Sequence, residues 1–122
     1  MEVYKNIKEY EDIYQVSNFG NIKSLRTNKI LNQHIGVNGY KTVSLLKNSK
    51  DIKPNIYYVH RLLALTFIEN KNNYPVVDHI DGNKLNNNLS NLRWSSYSEN
   101  VKNGYLTNKN YNNKKKKYIK WI

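Results

Sequence analysis

Cysteine is absent from this chain. That excludes a disulfide framework, a thiol nucleophile, an iron–sulfur cluster and a thiolate zinc site. Long apolar runs are absent too: with 39% hydrophobic residues and a mean hydropathy of −0.83, no stretch is long enough to cross a bilayer. The opening Met1-Glu2-Val3-Tyr4-Lys5 lacks the charged-then-apolar pattern of a secretory signal, so the expectation is an intracellular protein with no membrane partner. Acidic side chains are also scarce. Nine Asp and Glu stand against 20 Lys and Arg, leaving a net charge of +11 and a pI near 9.7 over 122 residues.

The charge that is present is uneven, with net −2 over residues 1–12 and +13 over the rest. A small, basic, cysteine-free chain with 11 tyrosines points to a nucleic-acid partner. Lys outnumbers Arg 17 to 3 and there are 22 asparagines, which codons rich in A and T also produce, so composition leaves both origins open. The length is that of one domain of ordinary size.

The first half has the pattern of short strands and tight turns. Tyr14 to Ser17 and Ile22 to Arg26 flank Asn18-Phe19-Gly20-Asn21, a connection of hairpin length. Ile30 to Ile35 and Tyr40 to Leu46 are separated by Gly36-Val37-Asn38-Gly39, whose Asn-Gly pair suits a turn with positive φ at both central residues. With Ile56-Tyr57-Tyr58 these runs predict one antiparallel sheet with a basic, aromatic face. The period then changes. Val59, Leu62, Leu63 and Phe67 form one apolar stripe of a helix about two and a half turns long. Pro75 opens an extended segment through Ile80, an Asn-rich loop follows, and a short strand is expected around Leu92-Arg93-Trp94. Ser96 and Glu99 have capping-box spacing, so a helix should start at Ser96 and stop near Asn103-Gly104.

Between Asp78 and Asn100 the chain runs strand, loop, strand and capped helix in 23 residues. The Asp78 carboxylate and the Asn100 amide oxygen are hard donors suited to one Mg²⁺ or Mn²⁺ held between strand and helix. Strand alternation turns His79 away from Asp78, so both reach one phosphate only at a kink or at the strand's end. An imidazole beside such a phosphate can act as general base on water, and Asn91 can orient it by accepting its other ring N–H. On spacing alone, a lone Asp-His pair in a chain of this size is usually incidental.

Three stretches narrow this reading: Val59-His60-Arg61-Leu62-Leu63-Ala64-Leu65-Thr66-Phe67-Ile68, Val77-Asp78-His79-Ile80-Asp81-Gly82-Asn83, and Asn86-Asn87-Asn88-Leu89-Ser90-Asn91-Leu92-Arg93-Trp94. In order and spacing they resemble the HNH endonucleases of the homing type. Glu9 to Leu25 independently resembles the DNA-binding module that often precedes that nuclease. The resemblance implies an α+β protein in which an N-terminal antiparallel β-sheet module, residues 1–57, precedes a ββα-metal nuclease core, residues 58–106. The Asn-, Lys- and Tyr-rich composition of residues 107–122 separately predicts a basic, mobile tail. The resemblance also implies His79 as general base, Asn91 as its positioning residue, and Asp78 and Asn100 as ligands of one Mg²⁺ or Mn²⁺. Many relatives have His where this chain has Asn100. The pattern here is therefore His-Asn-Asn, an oxygen-donor site that argues against zinc.

The expected partner is double-stranded DNA, cut one strand at a time by a monomer or weak homodimer. Lys23, Arg26, Lys29 and Lys41 are the candidate phosphate contacts of the N-terminal sheet, with Arg61 and Arg93 flanking the nuclease core. The Lys114 to Lys117 run should add salt-sensitive affinity. His60 is expected to be structural, Trp94 to belong to the core, and Asp81-Gly82-Asn83 to form a turn. Two other readings of the same residues are a DNA-binding protein on this fold that no longer cuts, and a basic RNA-associated structural protein.

Overall fold

The structure is a computed structural model, and it describes residues 1–48 and 50–97. Strands β1 (Tyr4–Asn6), β2 (Tyr14–Ser17), β3 (Ile22–Ser24) and β4 (Lys29–Ile30) form an antiparallel sheet in that order. Period-two burial sets the register: Tyr14 and Val16 face the core and pair across from Ser24 and Ile22, while Gln15 and Lys23 face outward. The β2–β3 turn is tied at its base. The Ser17 hydroxyl accepts the Asn21 and Phe19 amides, and Glu2 accepts from Ser17 and Asn21. These bonds, that from Ser17 above all, hold the Glu2 carboxyl below the usual carboxylate range.

A second antiparallel sheet holds β5 (His34–Ile35), β6 (Lys41–Leu45) and β7 (Asn55–Tyr58). The N-terminal half is thus two sheets rather than the one expected, and the strand expected from Ile30 to Ile35 is split between them. β4 ends at Ile30, and beyond it the Leu31 amide still donates to the Ile22 carbonyl and the Gln33 side chain to the Gly20 carbonyl at 2.7 Å, before the chain joins the second sheet at His34. In the β5–β6 turn only Gly39 takes positive φ (+86°), so the doubly left-handed turn expected at Asn38-Gly39 does not form.

β7 runs straight into helix α1 (Val59–Phe67), with Tyr58 as an N-cap that makes no side-chain capping bond. Tertiary packing stabilises this helix instead: Val59 to Ala64 are all buried, and the helix lies against β2, β6 and β7. It also touches β8 (Val76–His79) and β9 (Leu92–Ser95), an antiparallel pair with Asp78 opposite Arg93 and His79 opposite Leu92. One hydrophobic cluster runs from Ile7, Tyr10, Tyr14, Val16 and Ile22 through Val43, Leu45 and Tyr57 to Leu62, Leu63, Val77 and Leu92. The boundary expected after residue 57 falls inside β7, and the core is continuous across it. The helix expected beyond Ser96, with Asn100, and the tail from residue 107 lie outside the described residues.

Candidate functional site

Asp78 and His79 close strand β8, and each is only 1% exposed. The strand's end is one of the two geometries that let both side chains reach a common point. Asp78 Oδ2 accepts from Nε of Arg93 and ion-pairs with its Nη2, both at 3.0 Å. The pair is lopsided, since the Arg93 side chain is 51% exposed and that of Asp78 1%.

His79 Nε2 lies 2.7 Å from Asn87 Oδ1, with both residues buried. An amide oxygen only accepts, so Nε2 carries the proton and the lone pair resides on Nδ1. Burial holds the His79 pKa below the ordinary histidine value, so the ring is neutral near pH 7. The expected positioning residue, Asn91, uses its amide elsewhere. It donates to Asp81 Oδ1 at 2.8 Å and to the Asn86 carbonyl at 2.9 Å, and accepts from the Asp81 amide at 3.0 Å. Asn86 closes the network by donating to Asp81 Oδ2, the foremost of the bonds that hold that carboxyl below its usual range. Asp81-Gly82-Asn83 is the expected turn, with the Asn83 amide on Asp81 Oδ1. Asn91 therefore shapes the loop, and Asn87 contacts the ring. Nothing in a run of three asparagines marks the middle one for that role.

The N-terminal half also reaches this site. The Tyr40 ring stacks on His60 at 4.8 Å and on His79 at 5.8 Å, and the two imidazoles lie 5.0 Å apart. Lys84, in the nuclease-like loop, donates to the Asn38 carbonyl at 3.0 Å and sits over the Tyr40 ring. His60 is buried, which pushes its pKa well below the ordinary value, with His79 and Arg61 adding to the effect. Tyr40 lies 39 positions from His79 in sequence, too far for spacing to connect them.

The basic candidates divide by placement. Lys23 and Lys29 lie on the first sheet, Lys29 fully outward, and Lys41 lies half-buried on the second. Arg26 is exposed but donates to the Lys47 carbonyl and lies over Tyr14. Arg61 is not a surface clamp. It is buried, donates to the Pro75 carbonyl at 2.8 Å, and lies over the Trp94 ring, where it props the entry to β8. Trp94 packs against the core as expected, its indole N–H on the Ile68 carbonyl.

The donor chemistry fits a hard divalent cation. Asp78 is a buried carboxylate already drawing one cation, the Arg93 guanidinium. Among the described residues no group of three or more His, Cys, Asp or Glu gathers. No helix among them is long and apolar enough to cross a membrane.

A sheet-rich α+β fold in which, among the described residues, one α-helix packs against the sheets, with an Asp-His pair ending a strand of an antiparallel pair, has the architecture of the HNH endonucleases. Residues 2–45 match the NUMOD4 motif and residues 57–102 match the HNH endonuclease family. The chain is 48% identical over 103 residues to an uncharacterized HNH endonuclease of Acanthamoeba polyphaga mimivirus, covering 82% of this chain and 25% of that protein. It is 44% identical over 100 residues to the DNA endonuclease I-HmuI of Bacillus phage SP01, covering 82% of this chain and 56% of that enzyme. A solved structure concerned with DNA binding and cleavage by the HNH homing endonuclease I-HmuI superposes with a TM-score of 0.75 at 40% identity, over 93% of this chain and 66% of that one. This chain belongs to the HNH endonuclease family, with a NUMOD4 motif at its N-terminal side. It spans between a quarter and somewhat over half of the curated relatives just described.

Proposed function

We propose that this chain is a metal-dependent DNA endonuclease that nicks duplex DNA by phosphodiester hydrolysis, with His79 as general base. The observation that supports this reading most is the commitment of His79 Nε2 to Asn87, which puts the lone pair on Nδ1 of a neutral imidazole one residue from a buried carboxylate. His79 takes a proton from water, which attacks the phosphorus in line. Asp78, with Asn100 as the second ligand, would hold Mg²⁺ or Mn²⁺, whose charge offsets that building on the phosphate and the departing 3′ oxygen. Products carry 5′-phosphate and 3′-hydroxyl ends. One such site cuts one strand, so a monomer nicks and a double-strand break requires a second protomer or a second binding event. Lys23, Lys29, Lys41 and Arg26 supply phosphate contacts that seat the duplex, and Arg93 joins them when it leaves Asp78.

Supercoiled plasmid tests this. With Mg²⁺ or Mn²⁺ the protein should produce open circles that DNA ligase reseals, and with EDTA it should produce none. Undiminished nicking in EDTA contradicts the metal role. Absence of nicking in every metal favours the binding-only reading of the fold.

A further inference from the structure

We infer that Asn87 is a positioning residue for His79, and that Gly20, in the β2–β3 turn of the NUMOD4 half, sets where Asn87 sits. The inference rests on His79 being the base proposed above. Asn87 holds the imidazole from one side through the 2.7 Å contact to Nε2. The N-terminal half holds Asn87 from the other. Gly20 has φ of +90°, and a Cβ built on it would fall 3.0 Å from the Asn87 carbonyl oxygen and 3.1 Å from the Asn87 Cβ. Two residues on, the Leu89 amide donates to the Asn18 carbonyl at 2.8 Å. The turn is itself fixed, because Gln33 donates to the Gly20 carbonyl.

Residues 18–20 and 87–89 thus form one seam, and the missing side chain of Gly20 lets the Asn87 backbone close on it. A β-carbon there pushes on backbone and Cβ, which have no flexible end to yield. The amide is then displaced from the ring, and a misplacement of about 1 Å is the scale at which catalytic geometry loses on the order of 100-fold. The NUMOD4 half, on this account, completes the active site besides gripping DNA.

The test is the His79 tautomer, read from imidazole ¹⁵N shifts in the full chain without metal or DNA, alongside single-turnover nicking with Mn²⁺. Wild type should be the Nε2–H form. Asn87→Ala should mix in the Nδ1–H form and nick about 10- to 100-fold more slowly, with duplex affinity unchanged. Asn87→Asp, which still accepts from Nε2–H, should restore the tautomer and most of the rate. Gly20→Ala should move both readouts as Asn87→Ala does. Gly39→Ala imposes the same left-handed strain, at φ +86°, but its Cβ meets only the flexible Lys84 side chain at 3.4 Å, so it should stay near wild type. A wild-type tautomer and rate in Asn87→Ala, or equal losses in Gly39→Ala and Gly20→Ala, overturns the inference. Should Gly20→Ala fail to fold, the Asn87→Ala and Asn87→Asp pair still decides the Asn87 role. Loss of nicking in His79→Ala beside an unaffected Asn87→Ala leaves the base assignment standing and removes only this inference.

Discussion

Arg93 already pairs with the carboxylate proposed to hold the metal. The guanidinium is half exposed and the carboxylate buried. On that proposal, a cation arriving at Asp78 competes with Arg93. Arg93→Gln should lower the melting temperature in EDTA, because a buried acceptor that loses its charged partner costs about 1–3 kcal/mol. Mn²⁺ should then raise the melting temperature more in the variant than in wild type, since the site no longer holds its own cation. Equal Mn²⁺ responses in the two proteins contradict this competition. At this scale the end of β8 at Asp78-His79 was legible, because Pro75 and the Asn-rich loop delimit the strand, whereas the candidacy of the pair came from the resemblance to the HNH endonucleases. The side chain bonded to His79 was not. Asn86, Asn87, Asn88 and Asn91 are chemically alike, and only the docked β2–β3 turn selects Asn87.

Helix α1 was legible as an element because its apolar stripe has period 3.6 and its boundary lies where β-branched and aromatic residues give way. It has little local support, with neither a side-chain cap nor acidic residues in its first turn. Its stability comes from packing against both sheets and the β8–β9 pair. Leu63→Ala, at a fully buried position, should therefore cost about 2–5 kcal/mol in urea unfolding, whereas Leu65→Ala, on the exposed side, should cost far less. Comparable losses at the two positions contradict the packing described. The division between β4 and β5 was not legible, because Lys29-Ile30 pairs with β3 whereas His34-Ile35 pairs with β6, a change of partner that the run Ile30 to Ile35 does not mark. β1 carries no alternation of its own, and its pairing with β2 supplies what its residues lack.

At the scale of the molecule, among the described residues eight of the fourteen in the buried cluster precede residue 58. The two family regions meet in one core, so a fragment beginning at residue 58 should lack dispersed amide shifts and a cooperative melt. A cooperatively folded fragment contradicts the shared core. The same burial makes stability depend on pH. His60 is kept neutral by desolvation, faces the His79, Tyr40 and Tyr58 rings, and lies beside Arg61. Its pKa is lower folded than unfolded, so the unfolded chain binds the extra proton. Stability is complete above the unfolded value of about 6.5 and declines as pH falls below it towards the folded value. The urea midpoint of wild type should drop over that range and that of His60→Gln should drop less.

The net charge of +11 was ambiguous between codon bias and a DNA partner as composition alone. The fold distributes part of it, with Lys23, Lys29 and Lys41 on the two N-terminal sheets and Arg93 at the mouth of the site, while Arg61 is withdrawn into the structure. The central claim, that His79 is the base of a metal-dependent strand cleavage, is tested most directly by the single-turnover nicking rate of His79→Ala on supercoiled plasmid in Mn²⁺, measured with its duplex affinity. The account predicts a rate lower by about 10²- to 10⁴-fold at unchanged affinity. A rate equal to wild type at that affinity would contradict it.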